Sequence, residues 1–187
     1  MVDNATVDID GSSFLDMGTF IFQSNATVDG TAFRRCEQVT TGGAAFTKCT
    51  FSRSVATSAV SASTTADFDN CDFISSGTGY AIDLGNFSGT AAMNVNCTFT
   101  GYSTGTDANG GTGGNANSAI RVNLQNTTDE LTINVASGTG VPTVDNVGAA
   151  GTITVQQTVN FTIRNIQSGT NLQLIEDNGG TLTVIGG

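Results

Sequence analysis

The sequence predicts an all-β chain: a right-handed parallel β-helix, or solenoid, ending in a small C-terminal module. Three observations predict it. A short pattern recurs as FTKCTF (Phe46–Phe51), FDNCDF (Phe68–Phe73) and NVNCTF (Asn94–Phe99), with a looser relative, FRRCEQ, from Phe33. The distance from Cys49 to Ala59-Val60 is ten residues, and so is that from Cys71 to Ala81-Ile82. Composition points the same way, with 24 Gly, one Pro, no Trp and no His, few helix formers, and much Thr, Ser, Asn, Ala and Val.

Within the pattern, Cys and the Phe two residues later share one face of a strand, while Asn70 and Asp72 face out. A coil that carries one such strand cannot bury its apolar face alone. Stacking coils at roughly 4.8 Å pairs their backbones and lines like residues into internal columns. The expected columns are Cys, Phe and Ala-Val/Ile.

Taken in order, Asn4-Ala-Thr-Val-Asp8 returns as Asn25-Ala-Thr-Val-Asp29, an offset of 21 that fits one coil. The 13 residues from Cys36 to Cys49 are too few for a coil, which assigns Phe33 to Val39 to a neighbouring face without a fixed register. AVSAS, AIDLG and AIRVNL form the second strand family, and Thr65–Phe68 and Thr90–Val95 close their coils. Cys97 to Ala119 is 22 residues, ten plus a twelve-residue insertion within Thr104–Asn115, read as a protruding loop. Leu131, Ile133 and Val135 alternate as one more strand. The predicted division is therefore 1–136 parallel β-helix, 137–151 turn-rich connection, and 152–187 C-terminal β module. That module contains four short strands, with Asp177-Asn-Gly-Gly180 as a hairpin turn. It is either a small β-sandwich or the final coils plus a cap.

Sixteen acidic against six basic residues give a net charge of −10, which disfavours nucleic acid and anionic membranes. No apolar run is long enough for a transmembrane helix, and MVDNATVDID is not a signal peptide. Cys36, Cys49, Cys71 and Cys97 form no CxxC pair and have no His beside them, so no zinc site is expected. Stacked side chains point the same way, so free buried thiols are expected rather than disulfides.

The stretch from Phe46 to Val122 resembles the pectin-lyase-like right-handed β-helix superfamily, whose coils alternate F-x-N-C-x-F with short A-I/V strands. That superfamily includes polysaccharide lyases, glycoside hydrolases, adhesins and bacteriophage tailspikes, so the resemblance implies architecture rather than one activity. Val159–Asp177 is similar to small β modules of phage and marine bacterial structural proteins.

Lyase-like relatives imply a basic residue for proton abstraction beside acidic residues. Lys48, Arg53 and Arg121 are the available bases, and Asp67, Asp69 and Asp72 the carboxylates; the other close pair is Asp8/Asp10. With no His, Ser-His and Cys-His nucleophile systems are excluded. Asp107-x-Asn109-Gly-Gly has the start of a calcium loop, but the twelfth place is Ser118. No catalytic residue, metal or cofactor is assigned. Asp67, Asp69, Asp72 and Lys48 are the candidate ligand-binding residues, on a face expected to be chiefly the wetted wall.

The expected function is that of a non-enzymatic structural or receptor-binding β-helix of a virion appendage: a phage tail fibre, spike or head decoration. Expected partners are further copies of the chain (a trimer, as phage relatives imply), other virion proteins, and a cell-surface glycan. The alternatives are a polysaccharide lyase or hydrolase, and an extracellular bacterial adhesin or filament subunit.

Overall fold

The computed structural model describes residues 7–64, 66–103, 117–136, 141–148 and 150–157, and the backbone alone of 174–178 and 181–186. Strands are the only regular elements among them. The first coil holds β1 (Asp8–Asp10), β2 (Ser13–Leu15) and β3 (Phe20–Ile21). The second holds β4 (Thr27–Asp29), β5 (Ala32–Arg34) and β6 (Val39–Thr40). The third holds β7 (Ala45–Thr47), β8 (Thr50–Ser52) and β9 (Ser58–Ser61). Later coils carry two strands each: β10 (Asp67–Ile74) and β11 (Tyr80–Phe87), β12 (Thr90–Thr100) and β13 (Ile120–Leu124), then β14 (Glu130–Val135) and β15 (Val144–Asn146). A last rung is β16 (Thr152–Gln157).

These strands stack into two parallel sheets. One runs β1-β4-β7-β10-β12-β14-β16, with β2-β5-β8 continuing onto β10; the other runs β15-β13-β11-β9-β6-β3. The chain is a parallel β-solenoid.

Its interior is a set of columns. Phe14, Phe33, Phe51, Phe73 and Phe99 are in register from coil to coil. Their rings stack at 5.5, 5.2, 4.8 and 5.4 Å between centroids. Such pairs each add about 0.5–1.5 kcal/mol beyond the area they bury. Val28, Phe46, Phe68 and Val95 form a second column, and Val39, Val60, Ile82, Ile120 and Val144 a third. Cys49, Cys71 and Cys97 fill the place between the first two, buried and unbridged.

A change of backbone hand lets Phe46, Cys49 and Phe51 all point inward although two residues, Thr47 and Lys48, separate the first two. Lys48 and Asn70 have φ of 52°, in the left-handed region; Lys48 lies opposite Gly30 and Asn70 in an unbroken register, and Asn70 is the extra residue of a bulge against β12. Gly11 and Gly30 hold the same corner in earlier coils at φ 57° and 55°. The N–H at this corner points along the stack: Gly11 to Asp29 O, Gly30 to Thr47 O and Lys48 to Asp69 O, at 3.0, 2.9 and 2.8 Å. β12 has no residue at this corner, which gives the register shift between Asp69 and Cys71.

Several expectations are corrected. Asp8 pairs with Thr27 and Asp10 with Asp29, so the first coil steps by 19 residues, not the 21 of the Asn-Ala-Thr-Val-Asp duplication. A slip of two residues keeps every side chain on its face, which is how a duplicated segment can lie out of register. FRRCEQ is not a rung of the Cys column: Phe33 belongs to the Phe51 column and Cys36 lies beyond it, donating to Phe14 O at 3.6 Å. Thr31 and Ser12 precede Phe33 and Phe14 by two residues, where Cys49 precedes Phe51.

Nor does pairing stop at residue 136. β15, inside the expected connection, pairs with β13, and β16, assigned to the C-terminal module, pairs with β14 as a further coil. Beyond it β17 (Leu174–Asn178) and β18 (Thr181–Gly186) pair antiparallel, with Asn178 opposite Thr181, as the hairpin reading requires. The expected insertion, the calcium-loop stretch Asp107–Gly111 and the strand Val159–Ile163 lie outside the described residues.

Candidate functional site

The outward side of FDNCDF comes first. Asp67, Asp69, Asp72 and Lys48 are all exposed, on neighbouring coils of one wall. Asp69 is occupied by its neighbours: Asn96 Nδ2 donates to its Oδ1 at 2.6 Å and Asn70 Nδ2 to its Oδ2 at 3.0 Å. Thr98 Oγ1 donates to Asp72, and Thr27 Oγ1 likewise to Asp8. The depression beside these residues, lined by Asn70, Asp72, Asn96 and Thr98 among others, holds only about 170 Å³. Among the described residues the ion pairs are Arg35–Asp16 and Arg121–Asp83, so Lys48 belongs to neither. No group of three or more Cys, Asp or Glu side chains able to hold a metal occurs among the described residues.

The thiols behind this wall are buried and hydrogen-bonded to backbone carbonyls. The Sγ of Cys49 donates to Val28 O at 3.3 Å and that of Cys71 to Phe46 O at 3.4 Å. Hydrogen bonding to the Cys71 thiol, and then burial, push the Cys49 thiol far above its ordinary value. At Cys71 the Cys49 thiol pulls down, but the Cys97 thiol and burial outweigh it, and Cys71 is pushed up to about 12. A thiolate is the reactive form, so neither Cys49 nor Cys71 is poised as a nucleophile.

Two other places gather polar groups. The first is the corner that follows β2, β5 and β8. Asp16, Arg35 and Arg53 occupy it on successive coils, all left-handed, at φ 54°, 50° and 52°. Their N–H groups donate to Arg34 O, Ser52 O and Ile74 O of the next coil at 3.0, 2.8 and 2.8 Å. Arg35 forks onto Asp16, with Nε to Oδ1 at 2.8 Å and Nη2 to Oδ2 at 2.5 Å. That hydrogen bond holds the Asp16 carboxyl below its ordinary value. Arg34 stands beside them, in register with Leu15 on one side and Ser52 on the other. The three arginines line an open groove of about 510 Å³.

The second lies on the other sheet. Arg121 is in register with Asp83 and with Asp145, one coil to each side, and pairs with Asp83 at 2.9 Å. Asp145 is buried; its Oδ2 accepts the Tyr80 hydroxyl at 2.8 Å, while its Oδ1 has no partner among the described residues. Burial, then the bond to Asp145, push the Tyr80 phenol up to about 12, so it stays protonated and donates at neutral pH. A groove of about 770 Å³ runs past Tyr80 and Arg121 between the turns at 55–57 and 77–79.

Of the candidate bases, Arg53 and Arg121 thus enter these two clusters and Lys48 does not. Arg34, Arg35, Tyr80 and Asp145 were not singled out by sequence. Comparison with known proteins adds no relative: no family model, no curated protein and no solved structure matches the chain.

Proposed function

We propose that the protein is a non-enzymatic structural solenoid that binds a receptor through its side, as part of a virion appendage such as a tail fibre, spike or head decoration. Descent from pectin-lyase-like β-helices and assembly with further copies belong to the same proposal. The observation that supports it is how the exposed carboxylates are used. Asp8, Asp69 and Asp72 accept hydrogen bonds from Asn and Thr of the next coil, which ties coils together. A carboxylate held that way reinforces a rod.

The test combines a glycan array with size measurement by light scattering. Retention of the chain on surface glycans, with no cleavage and an oligomer in solution, is expected. A monomer retained by no glycan overturns the reading. One observation favours a second reading, a lyase or hydrolase: the Tyr80–Asp145 and Asp83–Arg121 pairs beside an open groove. Unsaturated or reducing products from polyuronates, abolished by Tyr80→Phe, would establish that instead.

A further inference from the structure

The chain carries six basic residues against sixteen acidic ones, and three of the six, Arg34, Arg35 and Arg53, line one groove. Like charges on adjacent coils, roughly 4.8 Å apart, repel one another unless an anion lies between them. Asp16 supplies one such anion, to Arg35 alone. Arg34 and Arg53 have no carboxylate within ion-pair distance among the described residues.

The backbone makes the placement less expected still. Positions 35 and 53 are left-handed, at φ 50° and 52°. That conformation costs a side chain with a Cβ free energy that glycine does not lose, and Asn or Asp tolerate it best. Gly11 and Gly30 answer the same demand at the preceding corner. Arginine at both sites is a choice that backbone geometry does not explain.

The rest of the groove is suited to more than a bare ion. Thr50 and Ser52 add hydroxyl-bearing residues to its lining, and Leu15 and Ile74 add apolar ones. Guanidinium forks match carboxylate or sulfate geometry, hydroxyls match sugar hydroxyls, and apolar side chains match the C–H face of a sugar ring. From this we infer that the corner groove formed by Arg34, Arg35 and Arg53 is a binding site for an anionic oligosaccharide, one that presents carboxylate or sulfate groups along its length. It rests on the receptor-binding reading and names the ligand class and the residues.

The experiment is titration calorimetry of the full chain with oligogalacturonate, a sulfated chondroitin oligosaccharide and neutral maltotetraose. At least one anionic probe binds, weakening as salt rises, and maltotetraose does not. The two anionic arms tell carboxylate from sulfate. Combining Arg34→Gln with Arg53→Gly lowers affinity by about tenfold or more. Glycine suits the left-handed position, so the fold is retained. Asp16→Asn, which frees Arg35, tightens binding severalfold. Equal affinity for maltotetraose, unchanged affinity in the double variant, or no binding of any probe each overturns the assignment. So does self-association that the double variant abolishes, since it gives the groove to the acidic wall of a second copy. Array retention undiminished in the double variant overturns the groove but leaves receptor binding standing; loss of retention by the wild type strikes the broader reading.

Discussion

The two corners that flank the short β2, β5 and β8 strands make the same turn with different residues. Before these strands the left-handed position is Gly11, Gly30, Lys48 and then Asn70; after them it is Asp16, Arg35 and Arg53. Both corners send their N–H groups to a carbonyl of the next coil at about the same distance. The backbone requirement is thus common, and only the side chains differ. One corner is largely neutral with a single lysine, and the other holds an anion and two cations in a row. Where the fold leaves a position's identity open, the residue found there reports on something other than folding. That is the basis for reading the second corner as a site and the first as scaffold.

The largest effect tests what the two corners share. The Phe column stands on the stretch between them, and Phe73 is fully buried between Phe51 at 4.8 Å and Phe99 at 5.4 Å. Phe73→Ala is expected to cost about 3–5 kcal/mol in urea denaturation and to loosen both corners together. Phe14, at the end of the column and only partly buried, should cost less than half as much. Equal losses would mean that the column end is covered as well as its middle.

A third corner offers the next test. It is a turn closed by an N–H to C=O bond, from Ala26 to Gln23, Ala44 to Thr41, Ala66 to Ser63 and Asp129 to Asn126. Where three coils bury alanine, the last buries aspartate. Its carboxylate accepts the N–H groups of Gly89 at 2.8 Å, Gln125 at 2.9 Å and Asn126 at 2.7 Å. Led by the Gly89 N–H, these donors hold the Asp129 carboxyl below its ordinary value. Because its folded value is depressed, its contribution is fully present above the unfolded value of about 3.9. It is lost as pH falls through the folded value. Asp129→Ala, although it restores the residue of earlier coils, should lower the denaturation midpoint by several degrees at pH 7. The gap between variant and wild type should close as the solution is acidified. A gap that persists at low pH would show that the loss is packing, not the anion.

How much of this was legible depended on whether a signal was local. Cys49/Phe51, Cys71/Phe73 and Cys97/Phe99 alternate within one strand, so their inward direction follows from the two-residue period. The Ala-Val/Ile column was found because its offset from the Cys is constant in the third and fourth coils. The early coils hid their register because Ser12 and Thr31 stand where cysteine would; the usable signal was Asp-Gly-x-x-Phe, present at Asp10–Phe14 and Asp29–Phe33. Ile153 and Val155 alternate like any hairpin strand, and their parallel partners Leu131 and Ile133 are a whole coil away. The arginine corner needed that coil step as well. Arg35 and Arg53 look unrelated until 18 residues is known to be one turn, as Phe33 over Phe51 shows.

The smallest effect bears most directly on the comparison. If the first corner is scaffold, a bulky residue there should cost what the backbone dictates. If the second is a site, a glycine there should cost nothing. A Cβ on Gly30 would meet only ordinary contacts, the nearest at 3.8 Å, so space does not forbid a side chain. Gly30→Val is then expected to lose about 2 kcal/mol, all of it conformational, since β-branched residues are the least suited to positive φ. Arg53→Gly relieves a strain of about 1–2 kcal/mol, against about 0.5–1 kcal/mol for the greater freedom of an unfolded glycine. Stability should therefore stay level or rise by up to about 1 kcal/mol in equilibrium denaturation. Lys48→Gly at the first corner should behave alike in stability, and should leave anionic-oligosaccharide affinity where it was, whereas Arg53→Gly lowers it. Two substitutions of the same kind, at the same φ and one corner apart, would then agree in folding and differ in binding.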